Sequence, residues 1–196
     1  WREFFQSLIA RGLHGVETIV SDAHEGLAAA RRASFAGVPW QRCQFHLQQN
    51  AMQYVPKIEL RKEVAADLRS VFNATDRPEA ERLLSLAVKK YESSAPRLSQ
   101  WLETAVPEGL TVLTLPADYR RRLRTSNVLE RLNQEIKRRT RVATLFPHEA
   151  SLLRLASAVL MEISEDWETR PAYLTLDEDS STPEKRRGLP RAQRVQ

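Results

Sequence analysis

Strand-forming sequence is confined to the first quarter of the chain, and that limits the fold more than any other feature. Val16-Glu17-Thr18-Ile19-Val20 is β-rich and reads as a strand ending at Ser21-Asp22; Trp40 to Phe45 reads as a short second one. A helix precedes them from Trp1 to Leu13, with Phe4, Phe5, Leu8 and Ile9 at helical spacing. Between the strands a helix carries Leu27, Ala28, Ala30 and Ala33, and Gly37 and Pro39 end it. After the second strand a helix runs to about Tyr54, and Pro56 to Leu102 reads as helical throughout. Pro107, Gly109 and Pro116 mark a loop, a long helix spans Asn127 to Arg141, and a last one runs from Phe146-Pro147 to Trp167. One strand, or one pair, cannot form an independent sheet. Either the protein is all-α, or the rest of a sheet lies elsewhere. The chain begins at Trp1, which fits a piece of a longer protein.

The 196 residues suit one domain, or one plus a lobe, with enough chain for a sizeable core. No apolar run approaches the ~20 residues of a membrane span, and the N-terminus is not a signal peptide. Cys43 is the single cysteine, which excludes an internal disulfide and a multi-cysteine zinc site and favours the cytoplasm. From Pro171 the chain is polar, and residues 175–196 are expected to be disordered.

The net charge of +5 is concentrated in one place. Residues 120–141 hold Arg120, Arg121, Arg122, Arg124, Arg131, Lys137, Arg138, Arg139 and Arg141 against only Glu130 and Glu135, a local charge of +7; the other 174 residues sum to −2. Arginine's planar fork suits bidentate phosphate contacts, and a basic stripe is the footprint of a polyanion partner. The alternative is an ordinary solvated helix face.

Two acids stand out. Asp22 closes the first strand where it meets a helix, the end of a strand at which open α/β sheets bind ligands. Asp22-Ala23-His24-Glu25 also matches a capping box with Asp22 as N-cap, and spacing alone favours the cap. Glu130 lies in a polar stripe. At 100° per residue, Asn127, Glu130, Arg131, Gln134, Lys137, Arg138 and Arg141 share one face within about 120°. Val128, Leu129, Leu132 and Ile136 take the other. Arg139, and more mildly Glu135, break the pattern. Glu130 has its own structural readings, a capping box from Asn127 or pairing with neighbouring bases. Neither explains a basic face around one acid. Carboxylates to hold divalent metals, with bases to hold the backbone, are what phosphodiester cleavage needs.

These residues fall in stretches that resemble Mutator-type transposases of bacterial insertion sequences, enzymes with a DDE catalytic triad. The stretches are Val20-Ser21-Asp22-Ala23-His24-Glu25-Gly26-Leu27, Gln41-Arg42-Cys43-Gln44-Phe45-His46, Thr125 through Arg141, and Phe146-Pro147-His148-Glu149-Ala150-Ser151 through Glu165-Asp166-Trp167. The resemblance implies an α/β, predominantly helical, partial RNase H-like fold with an all-helical insertion. Residues 1–46 would carry the last two strands of the core and their helices, 47–120 the insertion, 121–168 the helices with the last acid, and 169–196 a disordered tail. It implies that Asp22 is the second acid and Glu130 the third, 108 residues later. Glu130 is preferred to Glu135 because it is central on the polar face, with Asn127 beside it. Cys43 and His46 match the family's C-x-x-H signature. Two ligands are too few for a tetrahedral zinc site, so they read as a buried structural pair. His24 is a loop histidine near Asp22.

The resemblance further implies two Mg²⁺ or Mn²⁺ ions in the complete site and double-stranded DNA, transposon ends and target, as substrate. It implies a homo-oligomer and a cytoplasmic, nucleoid-associated location. Arg131, Lys137, Arg138 and Arg141 would hold phosphates near the scissile bond; Arg124 and Arg120, Arg121 and Arg122 would extend the contact. The first acid and the first three strands would lie upstream of Trp1. The chain alone is then expected to be marginally folded and unable to transpose. Two other readings remain: a non-catalytic DNA-binding helical protein, and an inactive remnant of a decayed element.

Overall fold

The computed structural model describes residues 1–142 and 145–169, so the expected disorder of 175–196 lies outside the described residues. Those described are mostly helical with a small parallel sheet. The order is α1 (Arg2–Ala10), β1 (Ile19–Ser21), α2 (Glu25–Ser34), β2 (Trp40–Arg42), α3 (Gln44–Ala51), α4 (Leu60–Phe72), α5 (Arg77–Tyr91), α6 (Pro96–Ala105), α7 (Ala117–Leu123), α8 (Asn127–Val142) and α9 (Glu149–Thr169). Both strands sit where the β-rich stretches predict them, each trimmed to three residues.

β1 and β2 pair in parallel, Ile19 with Trp40, Val20 with Gln41 and Ser21 with Arg42. Parallel strands need a crossover, and α2 supplies it. The ladder runs one step past each end: Ile19 N–H donates to the Pro39 carbonyl at 3.0 Å, and Cys43 N–H to the Ser21 carbonyl at 2.8 Å. The chain therefore enters α3 directly beside the residue that precedes Asp22. On the N-terminal side, the buried Phe5 of α1 meets Phe35 edge to face at 5.2 Å.

The main core is helical. Leu47, Val64, Leu68, Phe72, Leu84, Tyr91, Leu98 and Leu102 pack from α3 to α6, joined by Val106, Leu110 and Val112. The apolar spacing of 56–102 encodes this body, and its caps follow local rules: Asp76 accepts from the Glu79 N–H at 2.9 Å, with Pro78 in the first turn of α5.

The stretch from Pro107 to Ser126 differs from the sequence reading. It holds two 3-10 turns, Val106–Gly109 and Thr111–Thr114, and then α7. The prolines that look like breakers sit at tolerated starts: Pro107 opens a 3-10 turn and Pro116 precedes α7. The turns are pinned to β2 by Gln41, whose side chain is fully buried. Its Nε2 donates to the Gly109 carbonyl at 2.8 Å, and its Oε1 accepts from Val112 N–H at 2.6 Å. Gln44 Nε2 donates to the same Gly109 carbonyl at 2.8 Å.

The chain divides into two compact units, Trp1–Gln134 and Glu135–Gln196, and α8 crosses the division. Within the second unit Val159 of α9 is buried. No described helix is long and apolar enough to cross a membrane.

Candidate active site

The structure moves the start of α2 away from Asp22. Its N-cap is His24, whose Nδ1 accepts from Leu27 N–H at 3.3 Å. The capping-box reading of Asp22 is thus corrected: the helix begins two residues too late for it. Asp22 accepts from the N–H of Ala23 at 2.8 Å and lies 4.0 Å from Arg42 Nε, with its side chain 46% exposed. Arg42 itself is buried and donates through Nη1 to Glu108 Oε2 at 2.9 Å. A buried guanidinium needs such anionic partners.

Asn127 opens α8 as its first helical residue, so Glu130 falls one position beyond that of a capping box. Glu130 N–H makes the first helical bond, to the Ser126 carbonyl at 3.1 Å. Ser126 Oγ donates to Glu130 Oε1 at 2.9 Å, and His46 Nε2 lies 3.9 Å from the same oxygen. Ser126 Oγ is also 3.5 Å from Cys43 Sγ. One ligand atom each from Cys43, His46 and Glu130 lies within 4.8 Å of the others. Cys43 is fully buried and His46 and Glu130 half-buried. Cys43 is the N-cap of α3 and His46 stands in its first turn, so one helix start presents both. Gln41, Arg42 and Gln44 of the same stretch serve the fold: Gln41 and Gln44 hold Gly109, and Arg42 holds Glu108.

The structure thus brings Glu130 against Cys43 and His46, and sets Asp22 one ladder step from Cys43. No sequence signal linked Ser126 to Glu130 or Glu108 to Arg42; each pairing joins residues distant in space only until the chain folds, or a hydroxyl with no motif of its own.

Glu135 has a different role from Glu130. It accepts from Arg138 at 2.8 and 2.6 Å and from Arg139 at 2.9 Å, and these bonds hold its carboxyl down at about 2. Arg139 also donates to Glu162 of α9 at 3.0 Å. The two residues that break the wheel pattern of α8 are therefore bound to each other. Val128 and Leu129, on the predicted apolar face, are exposed, and no residue of α8 is buried.

Several basic residues also serve the fold. Arg120 donates to the carbonyls of Leu115 at 2.8 Å and Thr75 at 2.6 Å. Arg124 donates to Gln44 Oε1 and Asn73 Oδ1, both at 2.9 Å. Arg120, Arg121 and Arg124 line a recess of about 260 Å³ between Phe72–Ala74 and Val112–Ala117. Arg121, Arg122, Arg131, Lys137, Arg138 and Arg141 are exposed.

The family model described as "Transposase, Mutator family" matches residues 1–170. The chain is 55% identical over 177 residues to the transposase for insertion sequence element IS406 of Burkholderia multivorans, covering 90% of this chain and 46% of that protein. It is 37% identical over 178 residues to the transposase for ISRM5 of Rhizobium meliloti, covering 91% and 44%. It is 36% identical over 173 residues to the transposase for IS256 in transposon Tn4001 of Staphylococcus aureus, covering 85% and 43%. The chain spans less than half the length of these relatives.

Proposed function

The chain belongs to the Mutator family of transposases, and from that premise we propose that it supplies two acids, Asp22 and Glu130, to a metal-dependent site for DNA cleavage and strand transfer within a longer protein. The observation that carries this is the hydrogen bond from Cys43 N–H to the Ser21 carbonyl. It ties the carboxyl end of β1, where Asp22 stands, to the helix start on which Glu130 rests. In this reading β1 and β2 are the last strands of an RNase H-like core, 47–120 is a helical insertion and 121–168 returns to the core. The remaining acid comes from the rest of the longer protein.

The donor set fits a hard divalent cation. Asp22 and Glu130 offer carboxylate oxygens, half-exposed and free of strong ion pairs, and Mg²⁺ is commonly held by one or two carboxylates plus substrate phosphates. When bound, Mg²⁺ or Mn²⁺ would activate the attacking oxygen and stabilise the leaving one. Ser126 orients Glu130 by donating to one carboxylate oxygen, leaving the other for a ligand. Arg131, Lys137, Arg138 and Arg141 bind phosphates, as do Arg121 and Arg122. Arg120 and Arg124 bind phosphates with donors left over from their internal bonds, since a guanidinium carries five. The partner is double-stranded DNA, the protein acts as a homo-oligomer, and the setting is the bacterial cytoplasm.

The test is Glu130→Ala in the full-length protein, assayed for strand transfer and for DNA binding. Loss of strand transfer with binding retained is expected. Equal loss of both would leave Glu130 as a structural residue and favour a DNA-binding protein without catalysis, whose binding is indifferent to Mg²⁺.

A further inference from the structure

We propose that Cys43, His46 and Glu130 form a binding site for a thiophilic divalent cation of the zinc class, with a fourth position open to water. Sequence alone offers only two ligands, Cys43 and His46, three positions apart along one helix start. The fold brings a third from α8, 84 residues beyond His46. Three protein ligands and one open position are the arrangement of an open zinc site.

The geometry suits such an ion. The three ligand atoms lie within 4.8 Å of one another, and His46 Nε2 is 3.9 Å from Glu130 Oε1. Bonds of about 2.0–2.3 Å to zinc put tetrahedral ligands roughly 3.3–3.7 Å apart. Closing the gap needs a shift of about 1 Å, which rotation of the half-exposed Glu130 side chain supplies. His46 Nε2 faces Glu130 across that gap, while Nδ1 of the same ring is buried without a hydrogen-bond partner. Ser126 Oγ touches both Glu130 and Cys43, an outer support of the sort that orients metal ligands.

The chemistry separates this site from a magnesium site. Thiolate and imidazole favour Zn²⁺, Co²⁺ or Cd²⁺, whereas Mg²⁺ takes oxygen ligands. A thiolate and a carboxylate together neutralise a divalent charge, as a partly buried ion requires. Glu130 belongs to both donor sets, but the zinc-class site stands on its own three ligands and not on the transposition reading.

Co²⁺ titration of the full-length protein tests it, and Cys43→Ser assigns any thiolate-to-cobalt charge-transfer band to this site. The expected result is one equivalent of Co²⁺ with that band, displaced by Zn²⁺. Cys43→Ser should abolish the band. His46→Ala and Glu130→Gln should each weaken binding by more than the ~10–100-fold that outer-sphere partners are worth. Glu130→Gln sits on a half-exposed helix position, so circular dichroism should show an unchanged fold even if Cys43→Ser perturbs it. Co²⁺ binding without a thiolate band, or unchanged affinity in Glu130→Gln, overturns the site. Either failure leaves strand transfer, a separate readout, unaffected.

Discussion

Arg124 and Gln44 hold each other at two points: the Arg124 Nε donates to Gln44 Oε1 at 2.9 Å, and the Arg124 carbonyl accepts from Gln44 N–H at 3.0 Å. The pair ties the approach to α8 onto the start of α3, which is what seats Glu130 beside His46. Arg124→Ala leaves the buried Gln44 oxygen without its partner. Such a loss costs about 1–3 kcal/mol. Thermal denaturation should show a lower Tm, while Arg121→Ala on the exposed face should leave Tm unchanged.

Asp22 and His24 should separate function from folding. His24 caps α2, so His24→Ala should cost about 1 kcal/mol of stability. Asp22→Asn should stay within about 0.5 kcal/mol of wild type yet abolish DNA cleavage in the full-length protein. A large loss of stability in Asp22→Asn, measured by denaturant unfolding, would return Asp22 to a structural role.

Gly109 sits under the pinned turn with no room for a side chain. A Cβ there would collide with Leu47 Cδ1 and press on Phe72 at 3.3 Å. Overpacking of this sort costs about 1–3 kcal/mol. Gly109→Ala should lower the urea midpoint with little change in slope.

Glu135 makes a pH prediction. Hydrogen bonds from Arg138 and then Arg139 depress its carboxyl from 4.5 to about 2. A depressed folded value means the ion pairs stabilise fully above the unfolded value of 4.5 and lose that contribution as pH falls towards 2. A carboxyl-carbon NMR titration should find this midpoint, and Arg138→Ala should raise it.

The exposed bases should act on DNA through charge alone. Lys137→Ala and Arg131→Ala in the full-length protein should each weaken binding to all sequences alike. Each should flatten the slope of log K against log salt by about one. Binding isotherms at three salt concentrations would show it.

Much of the helical body was legible because its apolar residues recur at helical spacing, as Val64, Leu68 and Val71 do in α4. β1 was legible from its β-branched residues, whereas β2, Trp40–Arg42, holds none and follows the breakers Gly37 and Pro39; their parallel pairing follows from the helix between them. The helix start at Glu25 was not, since Asp22 and His24 both offer a capping atom and only the path of the chain out of β1 selects between them. α7 was missed because Pro107 and Pro116 look alike as breakers and as helix openers. Spacing puts Val128, Leu129, Leu132 and Ile136 in one stripe of α8, yet no residue of that helix is buried, and Val128 and Leu129 are exposed.

By itself, then, the sequence determined the family, the helical character and the basic stripe, because each is written in residue types at short spacing. Tertiary structure alone decided which groups meet: Glu130 with His46 and Cys43, Arg42 with Glu108, Gln41 with Gly109. These contacts join segments tens of residues apart, and their partners are chosen by the packing of α3 to α6 and the two 3-10 turns as one core rather than by any local preference of the chain.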